Sequence, residues 1–150
     1  MSIHFLRTDS LNNHFKELVK LLDADLAIRD GADHAFYAQF NKIDMIQHVI
    51  VAYENEAPVG SGAFKKYDDT SAEVKRMYVL PQHRNKGIAA SVLLQLEQWA
   101  KEEGFTTTVL ETGMKQPEAI RLYEKSSYKR IPNYGQYAGI ENSVCMKKEL

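Results

Sequence analysis

The run Arg84-Asn85-Lys86-Gly87-Ile88-Ala89 joins a predicted strand to the start of a long predicted helix. Such a run can bind phosphate. The first N–H groups of a helix have no partner inside it, and the helix dipole favours an anion at that end. Gly87 and Ala89 let an anion come close to the backbone, while Arg84 and Lys86, with His83 beside them, add positive charge. Read by itself, the run is equally a tight strand-to-helix turn whose basic residues face solvent. It matches neither G-x-x-x-x-G-K-[ST] nor G-x-G-x-x-G, which disfavours an ATPase loop and a dinucleotide fold. No metal site is expected, because Cys145 is the only cysteine and the five histidines show no ligand spacing.

The elements that must hold this run follow from periodicity. Ile3 to Thr8 reads as a strand, with Asp9 or Ser10 able to cap a helix after it. Leu11, Phe15, Leu18 and Leu22 then make one apolar helical face. Residues 30–33 read as a loop and 34–47 as a short helix with a connection. Residues 48–54, 57–64 and 71–79 form a predicted three-strand meander, turning at Asn55-Glu56 and again over 65–70. The clearest helix covers 87–103, with Ile88, Val92, Leu96 and Trp99 on its apolar stripe and Gln95, Gln98 and Glu102 facing away. A strand over 106–112, a helix opened by Pro117, and strands over 128–131 and 143–147 complete the order. Strand 71–79, the long helix and strand 106–112 make a βαβ unit with parallel strands and a right-handed crossover. The expected class is α/β of the α+β kind. It should have a mixed, mostly antiparallel sheet of six to seven strands with helices on both faces.

Composition narrows the setting. The chain has 150 residues, 44% hydrophobic and 26% charged, which suits one globular domain over 1–150. Lys+Arg number 19 against 20 Asp+Glu, a net charge of -1 that argues against nucleic acid or an anionic membrane as main partner. Without a basic-then-apolar start or a span of about 20 apolar residues, a soluble cytoplasmic protein is expected.

Residues 73–81, Glu-Val-Lys-Arg-Met-Tyr-Val-Leu-Pro, followed by Arg84-x-x-Gly87-x-Ala89, resemble the acetyl-CoA motif of the GNAT superfamily of N-acetyltransferases. Residues 119–128, Ala-Ile-Arg-Leu-Tyr-Glu-Lys-Ser-Ser-Tyr, resemble that family's A-x-x-L-Y-E-K-x-G-F block. The resemblance implies the GNAT acyl-CoA N-acyltransferase fold, acetyl-CoA as co-substrate, and a primary amine of a small molecule or peptide as acceptor. It implies cofactor contacts from Met77, Val79, Arg84, Asn85, Lys86, Gly87, Ile88, Ala89 and Gln116. Asn85 stands where the family often has Gly, Gln116 where it often has Asn, and Ser127 where it usually has Gly.

The resemblance further implies that the Tyr123 hydroxyl protonates the departing thiolate, and that Glu73, six residues before Val79, takes the acceptor's proton. Glu111 is an alternative base or else a solvated carboxylate. The strands ending at Val79 and Thr112 should splay to admit the pantetheine arm. Tyr128, Tyr134 and Tyr137 could wall an acceptor pocket or pack a surface hairpin. In the variable segments, Arg29 would suit an acceptor carboxylate, and Asp30 and Asp33, with Tyr37 nearby, would suit a polyamine. Cys145 reads as a buried thiol. A homodimer is plausible for the family. The competing reading is a non-catalytic GNAT-like module that holds CoA without turning it over.

Overall fold

The computed structural model describes residues 2–33 and 45–150. The strands are β1 (Ile3–Thr8), β2 (His48–Glu54), β3 (Ala57–Lys66), β4 (Ser71–Val79), β5 (Thr107–Gly113), β6 (Lys129–Ile131) and β7 (Ser143–Glu149). The helices are α1 (Asn13–Asp30), α2 (Ile88–Glu102) and α3 (Pro117–Lys125). The strands form one sheet in the order β1-β2-β3-β4-β5-β7-β6. Among the described strands, only β4 and β5 run parallel. Most of the helix expected over 34–47 lies outside the described residues.

The sheet has a helix layer on each face. Alternation explains why β2 reads as an unbroken apolar run: Val49 and Val51 pack with Phe15, Leu18 and Val19 of α1. Ile50 and Ala52 pack on the other side with Val92 and Leu96 of α2. A central strand covered on both faces needs apolar residues at every position. α3 joins the α2 side through Ile120 and Tyr123.

Three local expectations differ from the structure. The cap of α1 is Asn12, whose side-chain oxygen accepts from Phe15 N at 3.0 Å. Asp9 instead accepts from Leu11 N, and Ser10 accepts from Ile46 N. Leu11, before the cap, is exposed while Phe15, Leu18 and Leu22 are buried. Within α2, Glu97 lies inside the apolar stripe and is buried. It is satisfied there by the Tyr128 hydroxyl at 2.9 Å and Lys148 Nζ at 2.8 Å. Tyr128 also pairs with Thr108 at 2.7 Å, so it is a core residue rather than a pocket wall.

The register of β4 sets up the site. Only Ser71–Glu73 pair with Thr107–Val109. The Ser71 and Thr107 hydroxyls meet at 2.6 Å at this root. On its other edge β4 carries a bulge: Ser61 pairs with Tyr78 and Ala63 with Lys75, two steps on β3 against three on β4. Arg76 takes up the extra residue at φ +61°. Bulges bend a strand and re-aim its side chains, and beyond Glu73 β4 and β5 part.

Gly62 lies opposite the bulge. A Cβ there would run into Met77 Sδ and come within 3.0 Å of Leu96 Cδ1 and Val92 Cγ1. Gly62→Val should therefore cost about 2–3 kcal/mol through overpacking between β3 and α2. Urea unfolding checks it, and an unchanged midpoint would show that Gly62 does not set this approach.

Candidate active site

Where β4 and β5 part, a slot enclosing about 790 Å³ of space continuous with solvent runs through the sheet. Its walls come from both faces. Leu22, Leu26 and Asp30 of α1, with Glu73 and Glu111, line it from one side. Gln116, Ala119 and Tyr123 line it from the α3 side. The splaying expected from sequence is present, and it brings Glu73, Met77, Gln116 and Tyr123 to one cavity.

The two carboxylates share a sheet face because Glu73 pairs with Val109, two residues before Glu111. Glu73 is buried and has both oxygens engaged: Oε2 accepts from the Tyr134 hydroxyl at 2.6 Å, and Oε1 accepts from Lys75 Nζ at 3.3 Å. Glu111 is different. Burial pushes its carboxyl up to about 7, opposed by a hydrogen bond from Ser143 and raised further by the charges of Asp30 and Glu73. Desolvation disfavours the charged form, so a carboxylate between strands with little water holds its proton longer. The sequence left Glu111 open between a base and a solvated carboxylate; its surroundings come from residues far away in the chain, Asp30 and Ser143 among them.

Tyr123 is buried on the opposite side of the slot, edge-to-face with Tyr128 at 5.8 Å. Burial first, then the negative charge of Glu111, holds its hydroxyl well above the usual phenol range, so it stays a proton donor. Tyr137 also lines the slot. Tyr134 stacks edge-on between Tyr67 and Tyr137 and spends its hydroxyl on Glu73. No sequence signal pairs two residues 61 positions apart in this way.

The predicted strand-to-helix turn is formed at the start of α2. Gly87 is its cap at φ +80°, with no side-chain cap bond and open space where a Cβ would be. Asn85 holds φ +63°, a left-handed conformation that Asn tolerates better than most side chains, which explains its use in a glycine position. Ser127, also in a glycine position, sits at φ +75°. Lys86 is exposed. The side chain of Ile88 is buried in the core, so its contribution to an anion is its backbone N–H. Ala89 is half-buried. Arg84 does less as a free cation than expected: its Nε donates to Val79 O at 2.9 Å and its guanidinium lies over Tyr78. The Val79 carbonyl is thus already engaged. His83 faces Glu54 at 2.9 Å rather than the loop. Arg29 is spent on Asp25 and Glu118, so it is not available to an acceptor carboxylate. Cys145 is buried, as expected. Tyr37 lies outside the described residues.

Residues 15–128 match the model of the acetyltransferase (GNAT) family. This chain belongs to the GNAT acetyltransferase family. It is 33% identical over 101 residues to YsnE of Bacillus subtilis (strain 168), an uncharacterised N-acetyltransferase, covering 66% of this chain and 67% of YsnE. A Klebsiella pneumoniae protein provisionally classed as an acyl-CoA N-acyltransferase superimposes with a TM-score of 0.81 at 25% identity, over 99% of this chain and 97% of that one. PaiA N-acetyltransferase from Thermoplasma acidophilum, solved with coenzyme A, has the same fold. Its TM-score is 0.73 at 17% identity, over 100% of both chains. The GNAT fold expected from the motifs, with seven strands between three described helices, is the fold observed.

The raised Glu111 carboxyl has a measurable consequence. The folded state keeps its proton up to about pH 7, whereas the unfolded chain loses it near the ordinary value of 4.5. Between these values the folded state binds more protons, so this group's contribution to stability falls as pH rises and is fully unfavourable above about 7. Glu111→Gln should therefore have a higher Tm than wild type at pH 8, and the advantage should vanish toward pH 4.5. A Tm difference independent of pH would place the Glu111 carboxyl in the ordinary range.

Proposed function

We propose that this protein transfers the acetyl group of acetyl-CoA directly to a primary amine of a small molecule or peptide. The observation that carries the reading is the slot itself, with a protonated phenol on one wall and a carboxylate titrating near 7 on the other. An amine arrives mostly as an ammonium and must lose a proton before it can attack; a thiol must gain one as it leaves. The two walls suit those two needs.

The cofactor loop fits its ligand. Gly87 leaves open space at the uncapped start of α2, where backbone N–H groups and Lys86 can hold a pyrophosphate. Asn85, Ile88 and Ala89 complete the loop, and Arg84 anchors it to the end of β4. Met77, beyond the last residue of β4 paired to β5, can hydrogen-bond a pantetheine arm, as can Val79 through its N–H, its carbonyl being held by Arg84; Gln116 faces the arm from α3. Acetyl-CoA supplies the activated thioester. Glu111 takes the acceptor's proton, directly or through water. Glu73, held by Tyr134 and Lys75, lines the slot on the same sheet face as Glu111. Tyr123 gives its proton toward the sulfur. Donors already oriented in a site with little water stabilise developing charge without reorganising. The lone reduced thiol suits a cytoplasmic setting.

Release of free thiol from acetyl-CoA in the presence of a panel of amines tests the reading. A protein that binds CoA, seen as a rise in Tm, but releases no thiol with any amine would instead be a binding module. Tyr123→Phe keeps the ring and its packing, so stability and CoA affinity should stay near wild type while kcat falls roughly 10²-fold. Equal losses of affinity and turnover would mark Tyr123 as a binding residue. Gly87→Glu places a like charge at the loop and a side chain at positive φ. It should weaken acetyl-CoA by at least about 2 kcal/mol in calorimetry, in a protein that still folds. Unchanged affinity would sink the loop assignment.

A further inference from the structure

The slot contains a primary amine of its own. Among the described residues that line it, only Lys75 carries one. Strand alternation places it. Val74 packs into the core against α2, so Glu73 and Lys75 on either side of it point to the other face, the face of Glu111. The contacts agree: Lys75 Nζ donates to Glu73 Oε1, and its positive charge also acts on the Glu111 carboxyl. The ammonium therefore lies beside one carboxylate of the slot and in the field of the other. It is held loosely, at 3.3 Å, where a charge-assisted hydrogen bond of this kind usually measures about 2.7–2.9 Å. The side chain is 15% exposed. Glu73 has its shorter bond elsewhere, 2.6 Å from the Tyr134 hydroxyl, so it does not depend on Lys75 for a partner. Along β4, Lys75 is two residues past Glu73, where pairing to β5 stops, and two before Met77.

We propose that Lys75 is itself an acetyl acceptor, so that the protein loaded with acetyl-CoA and offered no other amine acetylates its own slot. This rests on the acetyl-transfer reading above. A pantetheine arm bonded to β4 at Met77 brings the thioester to the stretch of strand that carries Lys75. Glu111 takes a proton from the ammonium. Nζ then bonds to the acetyl carbon, and the C–S bond breaks. Two protons leave nitrogen and one joins sulfur: Tyr123 supplies the proton on sulfur and regains one of the two, and the other leaves through Glu111. The products are acetylated Lys75 and free CoA. An amide does not pass its acyl group to a second amine, so this is an end state and not a step toward product. It removes the positive charge beside Glu73 and puts a neutral acyl group on the slot wall.

The test gives isotope-labelled acetyl-CoA to the whole protein without an amine and follows, by peptide mapping, the chains whose Lys75 starts unmodified. Label should enter Lys75 at least about tenfold faster than it enters the exposed Lys66, as holding an amine beside a bound thioester provides. The rate should saturate with acetyl-CoA, fall when excess CoA competes, and not change with protein concentration. Label on Lys75 that rises linearly with acetyl-CoA and ignores CoA is chemical acetylation, and it overturns the inference. So does a rate that grows with protein concentration, which would place the transfer between chains. Transfer to free amines by a protein whose Lys75 takes no label also overturns it and leaves the acetyl-transfer reading standing. No transfer to Lys75 or to any amine, by a protein that binds acetyl-CoA, overturns both.

Discussion

Everything in the site depends on two parallel strands giving up their mutual hydrogen bonds. β4 and β5 pair over Ser71–Glu73 and Thr107–Val109 and then separate. Backbone groups left unpaired inside a protein are costly unless something satisfies them, so an empty parting would be an expensive defect. Here it is lined by polar side chains and open to a ligand. The root of the parting is correspondingly strong, with the Ser71 and Thr107 hydroxyls in contact and Thr107 bonded back to Thr70 O. On the far edge of β4, the bulge lets the strand bend away from β5 while keeping its ladder to β3.

The surrounding packing serves the same end. α2 and α3 are tied beneath β5 and β7 by a buried polar network in which Glu97 accepts from Tyr128 and Lys148, and Tyr128 pairs with Thr108. A fully satisfied network in low dielectric holds its members in one arrangement. That fixes the ring of Tyr128, against which Tyr123 packs, and so fixes the phenol at the slot. On the other face, Tyr134 reaches across to Glu73, and the residues after β6 thereby become part of the wall.

Much of this was legible in the sequence, and the reasons differ by element. The strands 3–8, 48–54 and 71–79 have the bounds read from alternation and from turn residues, because those signals are local. The turn into α2 was legible because Asn85 and Gly87 are residue types that tolerate a left-handed backbone, and they hold φ +63° and φ +80° there. The cap of α1 was placed at Asp9 or Ser10 and is Asn12, since all three can accept from a free N–H and only the path of the chain chooses. Glu97 was not legible as buried because its partners, Tyr128 and Lys148, come from 31 and 51 residues away. The bulge at Arg76 was invisible for the same reason: it is a mismatch between two strands, not a property of either.

A slot lined from both faces of a sheet can bring two ligands together from opposite walls: one held at the start of α2, the other against the α1 side. Cys145, the sole thiol, is buried beneath Tyr134 and Tyr137. Burial raises its pKa and keeps it in the unreactive thiol form. A slot with two such walls, and a sole thiol not placed to store an acyl group, would favour kinetics in which both ligands are bound together. Initial-rate plots for such a site intersect rather than run parallel.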